Sequence, residues 1–251
     1  MPFVNKKVFE KIREQVVNAF GGKFYEIIVG GAAFNQEVEQ FLQRIEFPYT
    51  VGYGATECAP IICYADCHDF VAGSCGKPVV HMEVKIDSPD PQNVPGEILA
   101  RGLNVMLGYF KNEEATAQTL DADGWYHTGD LGLMDADGNV FIKGRSKNML
   151  LGASGQNIYP EEIEDKLNSL NMVNECIVVQ RGEKLVGLVY PDFDEAATMQ
   201  LNDSDLENIM EENRQELNAS QPPYCRLAAI EIVKEEFEKT PKKSIKRYLY
   251  K

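Results

Sequence analysis

The sequence predicts a mixed fold, an α/β part followed by an α+β part, on three observations. Residues 1–72 alternate strand, small-residue loop, helix and strand, which is the order of a parallel βαβ unit. Residues 73–144 change to runs in which apolar and polar residues alternate, typical of a small antiparallel sheet or β-barrel. Residues 148–251 interleave strand and helix patterns, which indicates a separate small α+β domain, and residues 145–147 join the two parts.

The βαβ part begins with an N-terminal helix. Its apolar residues stand at helical spacing: Phe9, Ile12, Val16 and Phe20. A strand over 24–29 runs into a Gly30–Ala33 loop, and Asn35 is expected to cap a second helix. The predicted buried face of that helix consists of Val38, Phe41, Leu42 and Ile45. The next strand, 49–52, leads into a second glycine-rich loop, 52–57. Because ligands of parallel sheets bind at the carboxyl ends of the strands, both loops are candidate binding loops.

The antiparallel part is predicted from alternation and turn residues. Residues 82–86 alternate apolar and polar side chains, the pattern of a half-buried strand, and a second strand begins at Gly96. Residues 112–120 favour a short helix. Asp135–Asn139 separates two apolar runs, which predicts a hairpin turn.

The α+β part begins with a helix at Pro160, followed by Glu161 and Glu162. Proline suits the first helical turn, and carboxylates there favour the positive end of the helix dipole. The remaining predicted elements are a buried helical face at Ile163, Leu167 and Leu170, hairpin strands over 176–180 and 185–191, a helix over 204–217 and a last strand over 227–233.

Composition excludes several classes of protein. The chain has 251 residues, 44% of them hydrophobic and 25% charged, which is ordinary for a globular protein. Its formal net charge of −14 argues against a nucleic-acid partner, because binding phosphate backbones needs a positive surface. We expect no transmembrane segment and no signal peptide, since no apolar run is long enough; peripheral membrane contact stays open.

Three cysteines and a histidine lie close together in the sequence: Cys58, Cys63, Cys67 and His68. Their spacing matches no zinc or iron–sulfur pattern, so we expect no metal there. All six cysteines are expected to be free thiols in a reducing compartment, the cytoplasm.

The stretch from 123 to 164 carries most of the chemistry. Asp130 ends a Thr-Gly-Asp turn, where a carboxylate can accept hydrogen bonds from the neighbouring hydroxyls of a ribose. A Gly-Arg-Ser-Lys segment over 144–147 follows the second strand of the predicted hairpin. Gly152 and Gly155 then let the backbone approach a ligand closely.

These motifs resemble those of the adenylate-forming superfamily, which includes acyl-CoA synthetases, adenylation domains and luciferases. The resemblance rests on the YGATE segment at 53–57, the TGD turn, the GRSK joint and the GQNIYPEEIE helix start, in the family's order. It implies that residues 1–144 are the C-terminal part of a large AMP-binding domain. Residues 148–251 would be a small mobile C-terminal domain that turns about a 145–147 hinge.

The resemblance also implies binding sites for ATP or AMP, magnesium and coenzyme A. The implied cofactor-binding residues are Gly31, Ala32, Ala33, Tyr53, Gly54, Asp130, Arg145, Lys147 and Gly155. In these roles Tyr53 packs on adenine, and Asp130 and Arg145 hold the ribose. Lys147 is the hinge residue, and Gly155 lies beside the tunnel for the CoA pantetheine.

Three residues are implied to be catalytic. Thr56 would contact phosphate, and Glu57 would hold magnesium, which favours carboxylate ligands together with phosphate oxygens. The family's adenylation lysine directly precedes an isoleucine, but here Ser244 takes that place and Lys243 lies one residue earlier. Lys243 is the candidate for this role, although neighbouring residues on the expected extended segment would point to opposite faces. A solvated basic tail is the alternative for this C-terminal segment.

The family's Gly/Ser/Thr-rich phosphate loop is missing from the sequence. We therefore expect the chain to be a fragment, the last part of a larger ligase, and to be inactive alone. The expected enzyme is an AMP-forming acid–thiol ligase that activates a carboxylic acid, a fatty acid in the first instance. The alternatives are an adenylation enzyme that loads a carrier protein and a non-catalytic nucleotide-binding module.

Overall fold

The protein, analysed as a computed structural model, is described over residues 2–31, 34–241 and 243–250. Its chain divides into two compact units, Met1–Ser146 and Lys147–Lys251. The division falls inside the 145–147 stretch that the sequence assigns to a joint.

The first unit opens with the predicted βαβ arrangement. Its elements are α1 (Pro2–Ala19), β1 (Ile27–Val29), α2 (Gln36–Arg44) and β2 (Tyr49–Val51). β1 and β2 pair in parallel, with Val29 opposite Val51. Asn35 caps α2 as expected, because its side-chain oxygen accepts hydrogen bonds from the N–H groups of Glu37 and Val38, each at 3.0 Å.

The buried face of α2 differs from the prediction. Ile45, directly after the helix, is buried, but Val38 and Phe41 are 44% and 43% exposed. The residue buried in their place is Glu39, whose carboxylate accepts the N–H of Gly73 at 3.0 Å. In the described residues the parallel sheet has two strands.

The rest of the first unit is antiparallel and forms two open sheets. The first contains β3 (Tyr53–Gly54), β4 (Ile61–Tyr64) and β5 (Lys77–Pro78); the second contains β6 (Met82–Asp87), β7 (Gly96–Gly102), β8 (Tyr126–Met134) and β9 (Val140–Arg145). The prediction placed the change to antiparallel strands at residue 73, but the strands over 53–54 and 61–64 already pair antiparallel. A short helix, α3 (Glu113–Thr119), lies between β7 and β8. Ile62, Ile98 and Val140 are fully buried in the core of these sheets.

The second unit is an α+β domain. Its elements are β10 (Leu150–Leu151), β11 (Asn157–Ile158), α4 (Pro160–Leu167), β12 (Val173–Arg181), β13 (Lys184–Pro191), α5 (Phe193–Thr198), α6 (Asp203–Ala219) and β14 (Leu227–Ile232). β12 and β13 form the predicted hairpin, and β14 joins β13 in parallel. Ile163 and Leu167 of α4 share one core with Met210 of α6. The sequence patterns missed α5, which is only six residues long.

Candidate functional site

Two glycine-bearing loops leave the parallel strands at the same edge. Because Val29 and Val51 are paired, the loops that follow them start side by side, and the Gly52 N–H donates to the Val29 carbonyl at 2.8 Å. Gly31 has a left-handed φ of 90° and nothing within 4 Å of an added Cβ. Both predicted binding loops are therefore adjacent at their origins. Ala32 and Ala33, predicted to bind the cofactor, lie outside the described residues.

Gly54 holds the second loop in its shape. A Cβ added to Gly54 would lie 2.3 Å from the carbonyl oxygen of Pro60. The same carbonyl accepts the Ala55 N–H at 2.8 Å, which closes the loop over 55–60. A glycine is needed at position 54 because the backbone passes too close for any side chain.

Tyr53, Asp130 and Arg145 form one hydrogen-bonded group in the first unit. The Tyr53 hydroxyl donates to Oδ2 of Asp130 at 2.6 Å. Nη1 of Arg145 donates to Oδ1 of Asp130 at 2.8 Å. Arg145 and Asp130 are also paired strand residues in β9 and β8. The three residues that the sequence assigns to adenosine binding thus meet at one carboxylate.

The Tyr53 ring is buried, with 6% of the residue exposed, in the core of the antiparallel sheets. Little of the ring is therefore open to a purine, and its hydroxyl is the part that reaches the site. Burial, reinforced by the neighbouring Asp130 charge, raises the pKa of Tyr53 well above its ordinary value. The hydroxyl consequently keeps its proton and acts as a donor to Asp130.

The TGD turn is stabilised by hydrogen bonds of Thr128 and Glu97 that the sequence did not predict. Oγ1 of buried Thr128 donates to the Ile98 carbonyl at 2.7 Å and accepts the Asp130 N–H at 3.0 Å. One oxygen of Glu97 accepts the Gly129 N–H at 2.9 Å, and the other lies 3.0 Å from Nδ1 of His127. The only sequence signal for Glu97 is its position at the start of a predicted strand, which carries no information about this contact.

The Asp130 carboxylate fits a ribose diol. Its side chain is 14% exposed, so it opens only narrowly to solvent, while Arg145 is 55% exposed beside it. Tyr53 donates to one carboxylate oxygen and Arg145 to the other, so both oxygens are held in place. An oriented carboxylate is the type of group that accepts hydrogen bonds from the hydroxyls of a ribose, so the chemistry of this group suits an adenosine moiety.

Glu57 lies in a short 3₁₀ turn, Thr56–Cys58, beyond the second loop. The Tyr109 hydroxyl donates to Oε1 of Glu57 at 2.8 Å, and the Met106 N–H donates to the Glu57 carbonyl at 2.7 Å. Burial and this hydrogen bond raise the pKa of Tyr109, so its proton stays on the hydroxyl. Thr56 is exposed and Glu57 half-buried. A single oriented carboxylate of this kind fits a magnesium ion that takes its other ligands from phosphate and water.

The second unit holds Lys147, Gly155 and Lys243. Lys147 is exposed at its first position. Gly155 lies in the turn between β10 and β11, with φ of 82°, and its N–H donates to the Gly152 carbonyl at 2.8 Å. An added Cβ at Gly155 would meet nothing within 4 Å. The turn therefore leaves its outer side open to a ligand.

Lys243 does not lie on an extended segment, which corrects the expectation from the sequence. It has a left-handed φ of 60° at the tip of a tight hairpin, where Lys239 pairs with Ile245 and the Thr240 N–H donates to the Ser244 carbonyl at 2.8 Å. The Lys243 N–H donates to the Thr240 carbonyl at 2.8 Å, which closes this turn. Lys243 is exposed at this tip.

The C-terminal segment is anchored to the second unit. Lys239 forms an ion pair with Glu175, and Arg247 forms one with the buried Glu164 of α4. The Tyr250 hydroxyl accepts the Glu238 N–H at 2.7 Å, and its ring packs on Phe237. Over the described residues up to 250 the segment is therefore folded rather than a solvated tail.

Comparisons with known proteins identify the family. The profile of the AMP-binding enzyme family matches residues 4–110, and that of the AMP-binding enzyme C-terminal domain matches residues 147–250. A long-chain acyl-CoA synthetase 7 of Arabidopsis thaliana is 39% identical over 70% of the chain and 26% of its own length. A 4-coumarate-CoA ligase 1 of Narcissus pseudonarcissus is 36% identical over 70% of the chain and 35% of its own length. The chain thus spans about a third or less of these relatives.

Solved structures show the same fold. The anthranilate CoA ligase AuaEII, in complex with anthranoyl-AMP, has a TM-score of 0.73 and 25% identity over 90% of the chain and 44% of its own. The O-succinylbenzoate coenzyme A synthetase of Bacillus subtilis, in complex with AMP, has a TM-score of 0.73 and 22% identity over 96% of the chain and 49% of its own. Across the described helices, none has the length and hydropathy to cross a membrane. The two matching family profiles show that the chain belongs to the adenylate-forming, AMP-binding enzyme family.

Proposed function

We propose that this chain serves an AMP-forming carboxylate–CoA ligase. In the first half-reaction a carboxylate attacks the α-phosphate of ATP, giving an acyl-adenylate and pyrophosphate. In the second, the thiol of coenzyme A attacks the acyl carbon and AMP leaves. The observation that carries the proposal is the Tyr53–Asp130–Arg145 group, in which side chains from three strands orient one carboxylate. The names of the relatives, all CoA ligases or synthetases, support it.

In the proposed mechanism the residues of the first unit bind and orient the nucleotide. Asp130 accepts hydrogen bonds from the ribose hydroxyls, and Tyr53 and Arg145 hold the carboxylate in place. Gly31 and Gly54 let the loop backbones approach the adenosine. Thr56 contacts phosphate. Glu57 would hold a magnesium ion, which supplies positive charge against the phosphate oxygens.

In the second unit Lys243 is the proposed catalytic cation. It is exposed at a hairpin tip, and a lysine on its flexible stem can follow the phosphate as charge develops. Lys147 is the proposed hinge residue between the half-reactions. Gly155 is proposed to border the path of the CoA pantetheine. Such chemistry depends on positioning and charge neutralisation more than on covalent groups.

We propose a fatty acid as the substrate. Long-chain relatives from Arabidopsis thaliana and a mycobacterium, at 39% and 32% identity, support this choice. The 4-coumarate relatives, at 35–36% identity, make hydroxycinnamates the competing acids. A cytoplasmic location is also proposed, supported by the six free thiols, which suit a reducing compartment.

The test is acid-dependent exchange between ATP and pyrophosphate by the full-length protein, with fatty acids and hydroxycinnamates compared. We expect exchange with a fatty acid and acyl-CoA formation once coenzyme A is added. Asp130→Ala should weaken ATP use, whereas the matched change Asp137→Ala, on the exposed hairpin turn, should not.

Three outcomes would contradict the proposal. Exchange that no acid stimulates would favour a non-catalytic nucleotide-binding module. Thioester formation on a phosphopantetheinyl carrier but not on free coenzyme A would favour the carrier-loading enzyme. The 251 residues alone, which lack a Gly/Ser/Thr-rich phosphate loop, are proposed to be inactive, so turnover by them would also count against this account.

A further inference from the structure

A second group of chemically active side chains lies in the first unit, on the turn that follows β4. Asp66, Cys67 and His68 are consecutive, and their ligand atoms all lie within 4.8 Å of one another. Nδ1 of His68 is 2.7 Å from Oδ1 of Asp66 and 3.4 Å from Sγ of Cys67. Consecutive side chains normally diverge, so the turn brings together three different donor types.

The turn is held in this shape by hydrogen bonds to and from its backbone. The His68 N–H donates to Oδ1 of Asp66 at 2.9 Å, and the Asp69 N–H donates to the Asp66 carbonyl at 2.9 Å. The hydroxyl of Thr50, in β2, donates to the Ala65 carbonyl at 2.7 Å. The donors are therefore positioned by the fold before any ligand arrives.

Further polar groups surround the three donors. The Tyr25 hydroxyl donates to Oδ2 of Asp66 at 2.8 Å and lies 3.2 Å from Nδ1 of His68. Glu26 accepts the Cys67 N–H at 2.9 Å and the hydroxyl of Tyr64. Carboxylate and hydroxyl partners of this kind orient the ligands of metal sites.

We propose that Asp66, Cys67 and His68 bind a zinc ion through one carboxylate oxygen, Sγ and Nδ1. A thiolate, an imidazole and a carboxylate are the donors that zinc takes, whereas magnesium takes oxygen ligands. Zinc bonds of about 2.0–2.3 Å in a tetrahedron place ligand atoms on the order of 3.5 Å apart. The Sγ–Nδ1 separation of 3.4 Å matches this, whereas Oδ1 of Asp66, 2.7 Å from Nδ1, must move outward when the metal binds. Three protein ligands leave the fourth position to water, beside the Tyr25 hydroxyl.

The proposed zinc site differs from the group of Cys58, Cys63, Cys67 and His68, for which the spacing predicts no metal. That group contained Cys58 and Cys63, and both are fully buried in the core of the antiparallel sheets. In the proposed site Asp66 is a ligand instead of these two cysteines. The spacing of cysteines and histidines in the sequence gives no sign of an aspartate ligand. The site is separate from Glu57, and it does not depend on the ligase proposal.

Metal titration of the chelator-treated, full-length protein tests the site. We expect one Zn²⁺ per chain at Asp66–His68 by calorimetry, and with Co²⁺ a thiolate-to-metal charge-transfer band in the near ultraviolet. Cys67→Ser should abolish the band, and His68→Ala should weaken binding at least about tenfold. Cys225→Ser, which removes another half-buried thiol, is the matched control and should change neither.

If Cys67→Ser disturbs folding, His68→Ala becomes the deciding variant. The His68 side chain is 72% exposed and carries little packing. The proposal is overturned if no charge-transfer band appears, if the band survives Cys67→Ser, or if His68→Ala leaves the affinity unchanged. Millimolar Mg²⁺ should not displace Co²⁺, and displacement would equally contradict a site with a thiolate ligand.

Discussion

The hydroxyl of Tyr53 donates a 2.6 Å hydrogen bond to Asp130, which lies 77 residues further along the chain. The bond joins β3 of one antiparallel sheet to β8 of the next. Asp130 is in turn held by Arg145 from β9, so three separate strands position one carboxylate. This carboxylate is the centre of the proposed nucleotide site, and the first prediction concerns it.

Tyr53→Phe should weaken ATP use while leaving the fold intact. The ring keeps its place in the core, but Asp130 loses a neutral donor at 2.6 Å. We expect a KM for ATP about 3–10 times higher and a stability loss of about 1 kcal/mol, the usual net contribution of one hydrogen bond. The assays are pyrophosphate exchange and thermal unfolding. Tyr248→Phe, which alters an exposed tyrosine, is the control, and equal behaviour of the two variants would contradict the assigned role.

Gly54→Ala should disrupt the loop that carries Thr56 and Glu57. An added Cβ would lie 2.3 Å from the Pro60 carbonyl oxygen, so the backbone must move. We expect a loss of about 3 kcal/mol from overpacking, together with lower pyrophosphate exchange. Gly21→Ala introduces only left-handed strain, with nothing within 4 Å of the new Cβ, and should cost about 1 kcal/mol. Comparable losses in the two variants would show that steric contact at Gly54 does not matter.

Arg247→Ala should destabilise the second unit strongly. Glu164 is buried, with its carboxylate paired to Arg247 and accepting the Val178 N–H at 2.5 Å. Removing the guanidinium leaves a buried charge without its counterion, which typically costs about 3 kcal/mol. Arg181→Ala breaks an exposed pair with Glu231 and should cost less than about 1 kcal/mol.

Urea unfolding followed by circular dichroism measures both arginine variants. Burial is the largest influence on Glu164 and raises its pKa in spite of Arg247. A carboxyl whose folded pKa is raised is more easily protonated in the native state. The Arg247→Ala variant should therefore recover part of its lost stability at acidic pH, and a loss that grows on acidification would contradict this explanation.

The Glu211 carboxylate should contribute to acid sensitivity. Its hydrogen bonds to Arg214 and then Gln215 lower the pKa of Glu211 to about 2, from an ordinary value near 4.5. A depressed pKa means that the stabilisation is present above about pH 4.5 and is lost as the pH falls toward 2. Unfolding free energy measured between pH 5 and about 2 should thus fall less steeply in Glu211→Gln than in the unaltered protein.

Because the Glu211–Arg214 pair is exposed, the difference should shrink in high salt. Glu207→Gln, on the same helix, is the control, and identical pH profiles for the Glu211 variant and the unaltered protein would rule out the contribution.

Lys243→Ala should lower adenylation about 100-fold, the scale expected when one charge-stabilising group is removed from a transition state. Stability should not change, because Lys243 is exposed at a hairpin tip. Lys246→Ala is the matched control, since Lys246 already pairs with Glu238 at 3.1 Å. Single-turnover formation of the acyl-adenylate is the measurement. A large loss in Lys246→Ala with none in Lys243→Ala would move the catalytic role to Lys246.

Local features of the chain could be predicted from the sequence because they depend on neighbouring residues. Asn35 caps α2, and Pro160 begins α4, since caps and first-turn prolines act within a few positions. The alternation over 82–86 reports the half-buried strand β6 for the same reason. The family resemblance assigned Tyr53, Asp130 and Arg145 to adenosine binding; the structure joins the three by hydrogen bonds, and their role stays a prediction.

Contacts between distant residues were decided by the tertiary structure. The burial of Glu39 and the support of Gly129 by Glu97 depend on partners 34 and 32 residues away, which spacing does not reveal. Spacing also does not reveal the Asp66–His68 group, where a turn gathers donors that an extended chain would separate. The sequence by itself determined which chemical groups the protein carries and the local signals, such as Asn35 and Pro160, at which some of its helices begin. Only packing decided which of those groups meet, because long-range contacts depend on how sheets and turns fold back on one another.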